Sequence, residues 1–143
     1  MIATIEHVDD PPGVLDAVRR LLKPGGRVIV VTDNAASPDA RLFGGRHWGG
    51  YHFPRHWNLF TAWTLRDLGR KAGLVVESLG NIASPVNWVY SIRNRLVDRR
   101  APSWLIERFS LRTPVSLGVF TMIDTVLSGV GKGCLLRAVF RKP

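Results

Sequence analysis

The sequence predicts a doubly wound α/β domain, and three observations carry that prediction. The run Arg27-Val28-Ile29-Val30-Val31-Thr32-Asp33-Asn34 contains four consecutive β-branched apolar residues, the pattern of a strand covered on both faces of a mainly parallel sheet. Two amphipathic helix patterns each end at glycine and lead into an apolar strand, and strand, helix, strand in succession implies a right-handed crossover. The chain has 143 residues and 45% hydrophobic content, enough for one domain with a real core and too little for two.

The elements follow in order. Met1 to Ile5 is short and apolar and reads as the end of a strand. Asp9 or Asp10 caps a helix whose first turn accepts Pro11 and Pro12, with Val14, Leu15, Val18, Leu21 and Leu22 on one face. Lys23-Pro24-Gly25-Gly26 ends it, and residues 1–34 form a strand-helix-strand unit. Residues 35–60 lose regular periodicity and crowd glycines, histidines and aromatics together, which predicts a long structured loop that binds something or closes over a site. Thr61 caps a second helix with Leu65, Leu68 and Ala72 inward and Gly73 at its end; Leu74 to Leu79 follows as a strand, completing a second unit over 61–80.

From 81 to 133 the pattern turns Trp-rich and Arg-rich and is broken by Pro85, Pro102 and Pro114, reading as a helical insertion packed on the sheet. Within it, Val115 to Val130 is mostly apolar but contains Asp124 and is shorter than the roughly 20 residues needed to span a bilayer. A buried or lid helix is the preferred reading, with an interfacial membrane helix as the alternative. Cys134 to Phe140 reads as a terminal strand within 134–143. No repeat of solenoid length is apparent.

The charge balance is 20 Lys plus Arg against 11 acids, a formal net charge of +9, which draws the protein toward phosphates, anionic lipids or acidic small molecules. Arg93, Arg95, Arg99, Arg100, Arg108 and Arg112 are opposed locally only by Asp98 and Glu107. They form either a solvated helix face or a functional surface for an anion or a lipid. The single Cys134 excludes an intramolecular disulfide, and no secretory leader pattern is visible at the amino terminus. A reducing, cytoplasmic setting is the expectation, with a peripheral place at the inner face of the membrane as its variant. Nucleic acid is disfavoured, because the aromatics and arginines form no recognisable reading motif.

Two stretches carry a family resemblance. Glu6-His7-Val8-Asp9-Asp10-Pro11 runs into Leu21-Leu22-Lys23-Pro24-Gly25-Gly26, and Trp48-Gly49-Gly50-Tyr51 is followed by Pro54-Arg55-His56. Together they resemble class I S-adenosylmethionine-dependent methyltransferases of the ubiquinone- and menaquinone-biosynthesis type. There, a Glu-His-Val-like turn follows the fourth strand and a Leu-Lys-Pro-Gly-Gly turn leads into the fifth; Gly131-Lys132-Gly133 and the closing Arg141-Lys142-Pro143 also look like the family's last strand. The resemblance implies a Rossmann-like sheet of order 3-2-1-4-5-7-6, the last strand antiparallel between the fifth and sixth, of which this chain supplies the 4-5-7-6 side. Complete members carry an earlier glycine-rich cofactor loop and a strand ending in an acid for the ribose. No glycine precedes Gly13. The expectation is therefore a C-terminal portion that binds S-adenosylmethionine weakly alone and self-associates or pairs with a partner chain through an open sheet edge.

Methyl transfer from a sulfonium is an in-line displacement, so the protein positions the acceptor and removes its proton. The resemblance places Glu6, His7 and Val8 against the cofactor, near the methyl acceptor. Asp33 and Asn34 lie at the next strand end, where open α/β sheets bind ligands. His7 is the candidate general base, since an imidazole titrates near physiological pH; the alternative is that Glu6 or His7 only hydrogen-bonds the following helix. Arg46, His47, Trp48, Tyr51, His52, Arg55 and His56 would cap a small-molecule acceptor, aromatics stacking and arginines holding an acidic group. His47, His52 and His56 are read as loop-packing residues and not as a metal site, with no cysteine nearby. Gly25-Gly26 lead into a strand and form a turn, not a phosphate loop. The competing reading is a noncatalytic methyltransferase-like module that binds partners.

Overall fold

The computed structural model describes residues 1–52 and 55–143; Pro54 of the sequence motif lies outside the described residues. Helix α1 (Pro11–Leu21) is capped by Asp10, whose carboxylate accepts from the Gly13 amide at 3.0 Å, and its prolines occupy the first turn, where no intrahelical donor is missed. It feeds β1 (Arg27–Asp33). Helix α2 (Pro38–Phe43) and two single 3₁₀ turns, Gly45–His47 and Gly49–Tyr51, follow. Helix α3 (Ala62–Lys71) opens on a capping box between Thr61 and Thr64 and leads into β2 (Val75–Ile82). Helices α4 (Val86–Asp98), α5 (Ser103–Glu107) and α6 (Pro114–Gly129) precede β3 (Leu135–Arg141).

The sheet order is β1-β3-β2, with β3 antiparallel to both neighbours, so β1 and β2 run parallel on either side of the last strand. That is the 5-7-6 arrangement the resemblance implied. The stretch expected as the end of the fourth strand appears as a single parallel bridge of Ile2 to Val31, with the Ala3 amide donating to the Val31 carbonyl at 3.0 Å.

The core lies on one face of the sheet. Val28 and Val30 of β1 and Leu136, Ala138 and Phe140 of β3 point to it, as the two-residue period requires, and α1 and α3 cover them with Leu15, Leu65, Leu68 and Ala72. At Gly69 of α3 a Cβ would sit 2.1 Å from the Phe140 ring, so glycine is what lets the helix approach the strand. Leu21, expected inward, is 87% exposed: the helix ends there, and extended Leu22 packs against the core in its place. The opposite face of β1 is only partly covered, with Ile29 exposed.

The insertion departs from expectation in one respect. Helix α6 lies against β2 and α4, yet its buried residues are Ser116 and Asp124, while Val115, Met122 and Val126 face solvent. A buried carboxylate holds this helix together with Phe120, which stacks on the Trp88 ring at 5.8 Å. Asp124 accepts from the Ser84 amide at 2.8 Å, the Trp88 indole at 3.3 Å and the Cys134 amide at 3.1 Å.

Candidate active site

Two short segments that are distant in sequence form the centre of the site. The turn Ile5–His7 follows the Ile2 bridge, and residues 55–58 are laced to it: the Trp57 and Asn58 amides donate to the Glu6 carbonyl at 2.9 and 3.1 Å, and the Asn58 side chain donates to the Val8 carbonyl at 2.7 Å. These bonds satisfy backbone that regular structure leaves unpaired, and they bring His56 against His7, ring centroids 4.6 Å apart and edge to face.

A cavity of about 370 Å³ opens beside them at the carboxyl end of β1, lined by Glu6, His7, Thr32, Asp33, Arg55 and His56 among others. The Glu6 carboxylate is buried and accepts from the Thr32 hydroxyl at 3.0 Å; its partner is on β1, not on the following helix. His7 Nδ1 lies 2.8 Å from the Arg55 carbonyl, and His56 Nδ1 lies 2.7 Å from the Gly50 carbonyl and 3.3 Å from an Asp33 oxygen. Carbonyl oxygens only accept, so each Nδ1 carries a proton, and in the neutral form of either ring the lone pair is on Nε2. Glu6, His7 and His56 bring one carboxylate oxygen and two imidazole nitrogens within 4.8 Å of one another, close enough to share a proton or a cation. Burial pushes the Asp33 carboxyl above its ordinary range, opposed by a 2.7 Å hydrogen bond from Asn87 and by the charge of His56.

A second, larger cavity of about 700 Å³ adjoins it, between the two 3₁₀ turns and α4, lined by Arg46, His47, Trp48, Tyr51, His52 and residues of α4. His52 lines both cavities. Burial, and then the neighbouring charges of His56, Arg55 and His7, hold its imidazole below the ordinary histidine value. The close approach of the Gly49-Gly50 turn to α4 depends on glycine: a Cβ on Gly49 would meet the Asn87 carbonyl at 2.5 Å, and one on Gly50 the Trp48 ring at 2.4 Å.

The expected site residues thus divide. Glu6, His7, Arg55, His56 and His52 share the smaller cavity, and Arg46, His47, Trp48, Tyr51 and His52 the larger. Val8 packs against the core. Arg46 and His47 both engage Asp98, at 2.8 and 3.2 Å, and hydrogen bonding from His47 holds that carboxyl below its ordinary range. Trp48 is buried, its indole donating to Asp39 at 2.8 Å; Asp39 is buried and also accepts from Ser37 and Cys134. Burial raises the Cys134 thiol far above its ordinary range, so it stays protonated as a donor. Asn34 binds the Gly133 carbonyl at 2.9 Å and the Ala36 amide at 3.0 Å, shaping the chain after β1.

Sequence reasoning missed Thr32 and the α4 contribution of Asn87, Tyr90, Arg93 and Asn94. The signal existed: Asn87, Tyr90, Asn94 and Asp98 recur at three- and four-residue steps, a polar stripe on one helix face.

Comparison with known proteins agrees with this geometry. Residues 1–79 match the family model described as a methyltransferase domain. A ubiquinone biosynthesis O-methyltransferase of Cereibacter sphaeroides is 40% identical over 97 residues, covering 64% of this chain and 39% of its own; the chain thus spans well under half the length of the curated relatives it matches. Among solved structures, an S-adenosylmethionine-dependent methyltransferase of Thermotoga maritima superposes on all of this chain and 54% of its own with a TM-score of 0.57 at 22% identity. A Haemonchus contortus phosphoethanolamine N-methyltransferase bound to S-adenosylmethionine covers 99% of this chain and 32% of its own, with a TM-score of 0.52 at 17% identity. With a family model matched over more than half its residues and a Rossmann-like fold shared with solved methyltransferases, the chain belongs to the methyltransferase domain family.

Proposed function

We propose that this chain forms the acceptor side of a methyltransferase that places the methyl group on a hydroxyl oxygen of a small molecule, with His7 as the general base. The observation that carries the reading is the tautomer of His7: its Nδ1 proton is committed to the Arg55 carbonyl, so Nε2 is free to accept a proton at a cavity on the strand end. The similarity to ubiquinone biosynthesis O-methyltransferases supports an oxygen acceptor.

Bound S-adenosylmethionine supplies an electrophilic methyl group on a cationic sulfur. The cavity suits such a cation, since Glu6 and Asp33 line it. With the cofactor bound, Glu6 and Asp33 would face its cationic sulfur and His7 Nε2 would take the proton of the acceptor hydroxyl placed before the methyl group. Glu6 and Asp33 stabilise the imidazolium that results, as a nearby carboxylate does for a histidine base. Arg55 and His56 orient the acceptor, and the larger cavity receives the rest of it, with Tyr51 and Tyr90 as stacking surfaces and Arg93 for an acidic group.

Nuclear magnetic resonance titration of the 143-residue chain with S-adenosylhomocysteine tests the placement, because chemical shifts report weak binding. Shifts concentrated on the amides of residues 2–8 and 32–34 support it. Shifts elsewhere, or none at millimolar ligand, favour the noncatalytic module.

A further inference from the structure

We infer that α5 and α6 form a docking surface for an anionic lipid bilayer. The inference is independent of the proposed reaction and rests on a helix whose outward face is apolar. In a surface helix of a soluble domain the apolar stripe faces the core. In α6 the buried residues are Ser116 and Asp124, with Leu117, Phe120 and Leu127 half-buried beside them, whereas Val115, Met122 and Val126 are 74, 73 and 70% exposed. The only charged group on α6 is Asp124, and it is completely buried, so the outward face of the helix carries no charge at all. Exposed Trp104 of α5 extends the patch, and an apolar groove of about 580 Å³ runs between the two helices, lined by Leu105, Phe109, Val115, Val119 and Phe120. A contiguous apolar surface of this kind marks an interaction site.

Charge selects the occupant. Arg108 lines the same groove as Val115 and Val119 and lies 5.6 Å over the Trp104 ring. Arg112 immediately precedes the helix, Arg99 and Arg100 close α4 ahead of α5, and Lys132 follows α6. Among the described residues none of Arg93, Arg95, Arg99, Arg100, Arg108 and Arg112 forms an ion pair; of the two carboxylates nearby, Asp98 is taken by Arg46 and His47, which leaves the single exposed Glu107 against six arginines. An apolar helix face rimmed by unpaired arginines, with an amphipathic tryptophan at its border, matches the apolar interior, anionic headgroups and wet boundary of a bilayer. A second copy of the chain would instead bring like-charged rims together. The 16-residue helix rises about 24 Å against a hydrocarbon core of about 30 Å, and no described helix is long and apolar enough to cross a membrane. The surface therefore lies along the bilayer.

Vesicle flotation of the 143-residue chain tests this, using phosphatidylcholine vesicles with and without phosphatidylglycerol. The chain should float with the anionic vesicles, stay behind with the neutral ones, and detach as salt shortens the screening length. The double variant Met122→Asp/Val126→Asp should lose at least about tenfold in affinity with an unchanged circular dichroism spectrum, because both side chains are exposed. Arg108→Gln and Arg112→Gln should each weaken binding about fivefold. No flotation of the wild type, or flotation equal in the double variant, overturns the inference. So does a wild-type dimer in sedimentation that the double variant converts to a monomer without any vesicle binding, since the face would then be a contact between copies.

Discussion

His7 hands its Nδ1 proton to the carbonyl oxygen of Arg55 across 48 residues of sequence, at 2.8 Å. This one bond decides which ring nitrogen can accept a proton, and it depends on a loop that the Glu6 carbonyl holds in place through the Trp57 and Asn58 amides. His7, the proposed base, and the loop at residues 55–58 are therefore one mechanical unit.

Replacing His7 by alanine should lower methyl-transfer turnover by roughly 10²–10⁴-fold while leaving cofactor affinity largely intact, the range for loss of a general base. Steady-state kinetics beside equilibrium binding, in a form of the protein that transfers methyl groups, separates the two quantities. Loss of affinity with turnover preserved would assign His7 to positioning.

His52 sets a pH dependence. Its folded imidazole titrates below the ordinary value of 6.5, so the unfolded chain binds the proton more readily. Stability is unaffected well above pH 6.5, falls as pH drops through 6.5 toward the lower folded value, and levels off beneath it. Denaturant midpoints from pH 8 to pH 5 should show this slope, and His52→Gln should flatten it. An unchanged slope in the variant would place the titrating group elsewhere.

Gly69→Ala reverses the usual sign of a glycine substitution in a helix. Propensity alone would favour alanine by about 1 kcal/mol, but the added methyl meets the buried Phe140 ring at 2.1 Å. Overpacking of this kind costs roughly 1–3 kcal/mol, so the variant should be net destabilised in urea unfolding. A stabilised variant would mean that α3 shifts from the sheet at little cost.

Asp124→Ala should detach α6. It strands the Ser84 amide, the Trp88 indole and the Cys134 amide, three buried donors, at about 1–3 kcal/mol each when left unsatisfied. Limited proteolysis should cut within residues 114–133 before any other segment, and an intact α6 would show that its apolar contacts suffice.

These expectations mark what the sequence made legible. Asp10, Thr61 and the inward leucines of α3 were readable because caps and periodicity are local. The end of α1 was not: Leu21 and Leu22 are adjacent leucines, and only the break into extended backbone decides which one packs inward. Helix α6 defeated pattern reading because apolar residues lie on both of its faces, so its periodicity does not tell that the buried positions are Ser116 and Asp124. Within the site, His7 was legible from a strand-end motif. Its juxtaposition with His56 was not, because the contact closes through backbone hydrogen bonds of an irregular loop that carry no side-chain signature.

The order of the sheet also bears on how the chain is made. Strands β1 and β2 do not pair with each other; both pair along their length with Leu135–Arg141, and β1 adds the short bridge to Ile2 on its other edge. During synthesis both leave the ribosome before β3, the strand that joins them, and Phe140, the ring that fills the space beside Gly69, emerges after both. The nascent chain therefore spends its translation time with two apolar strands open to chaperones or to neighbouring nascent chains, and the final strand acts as the latch that ends that exposure.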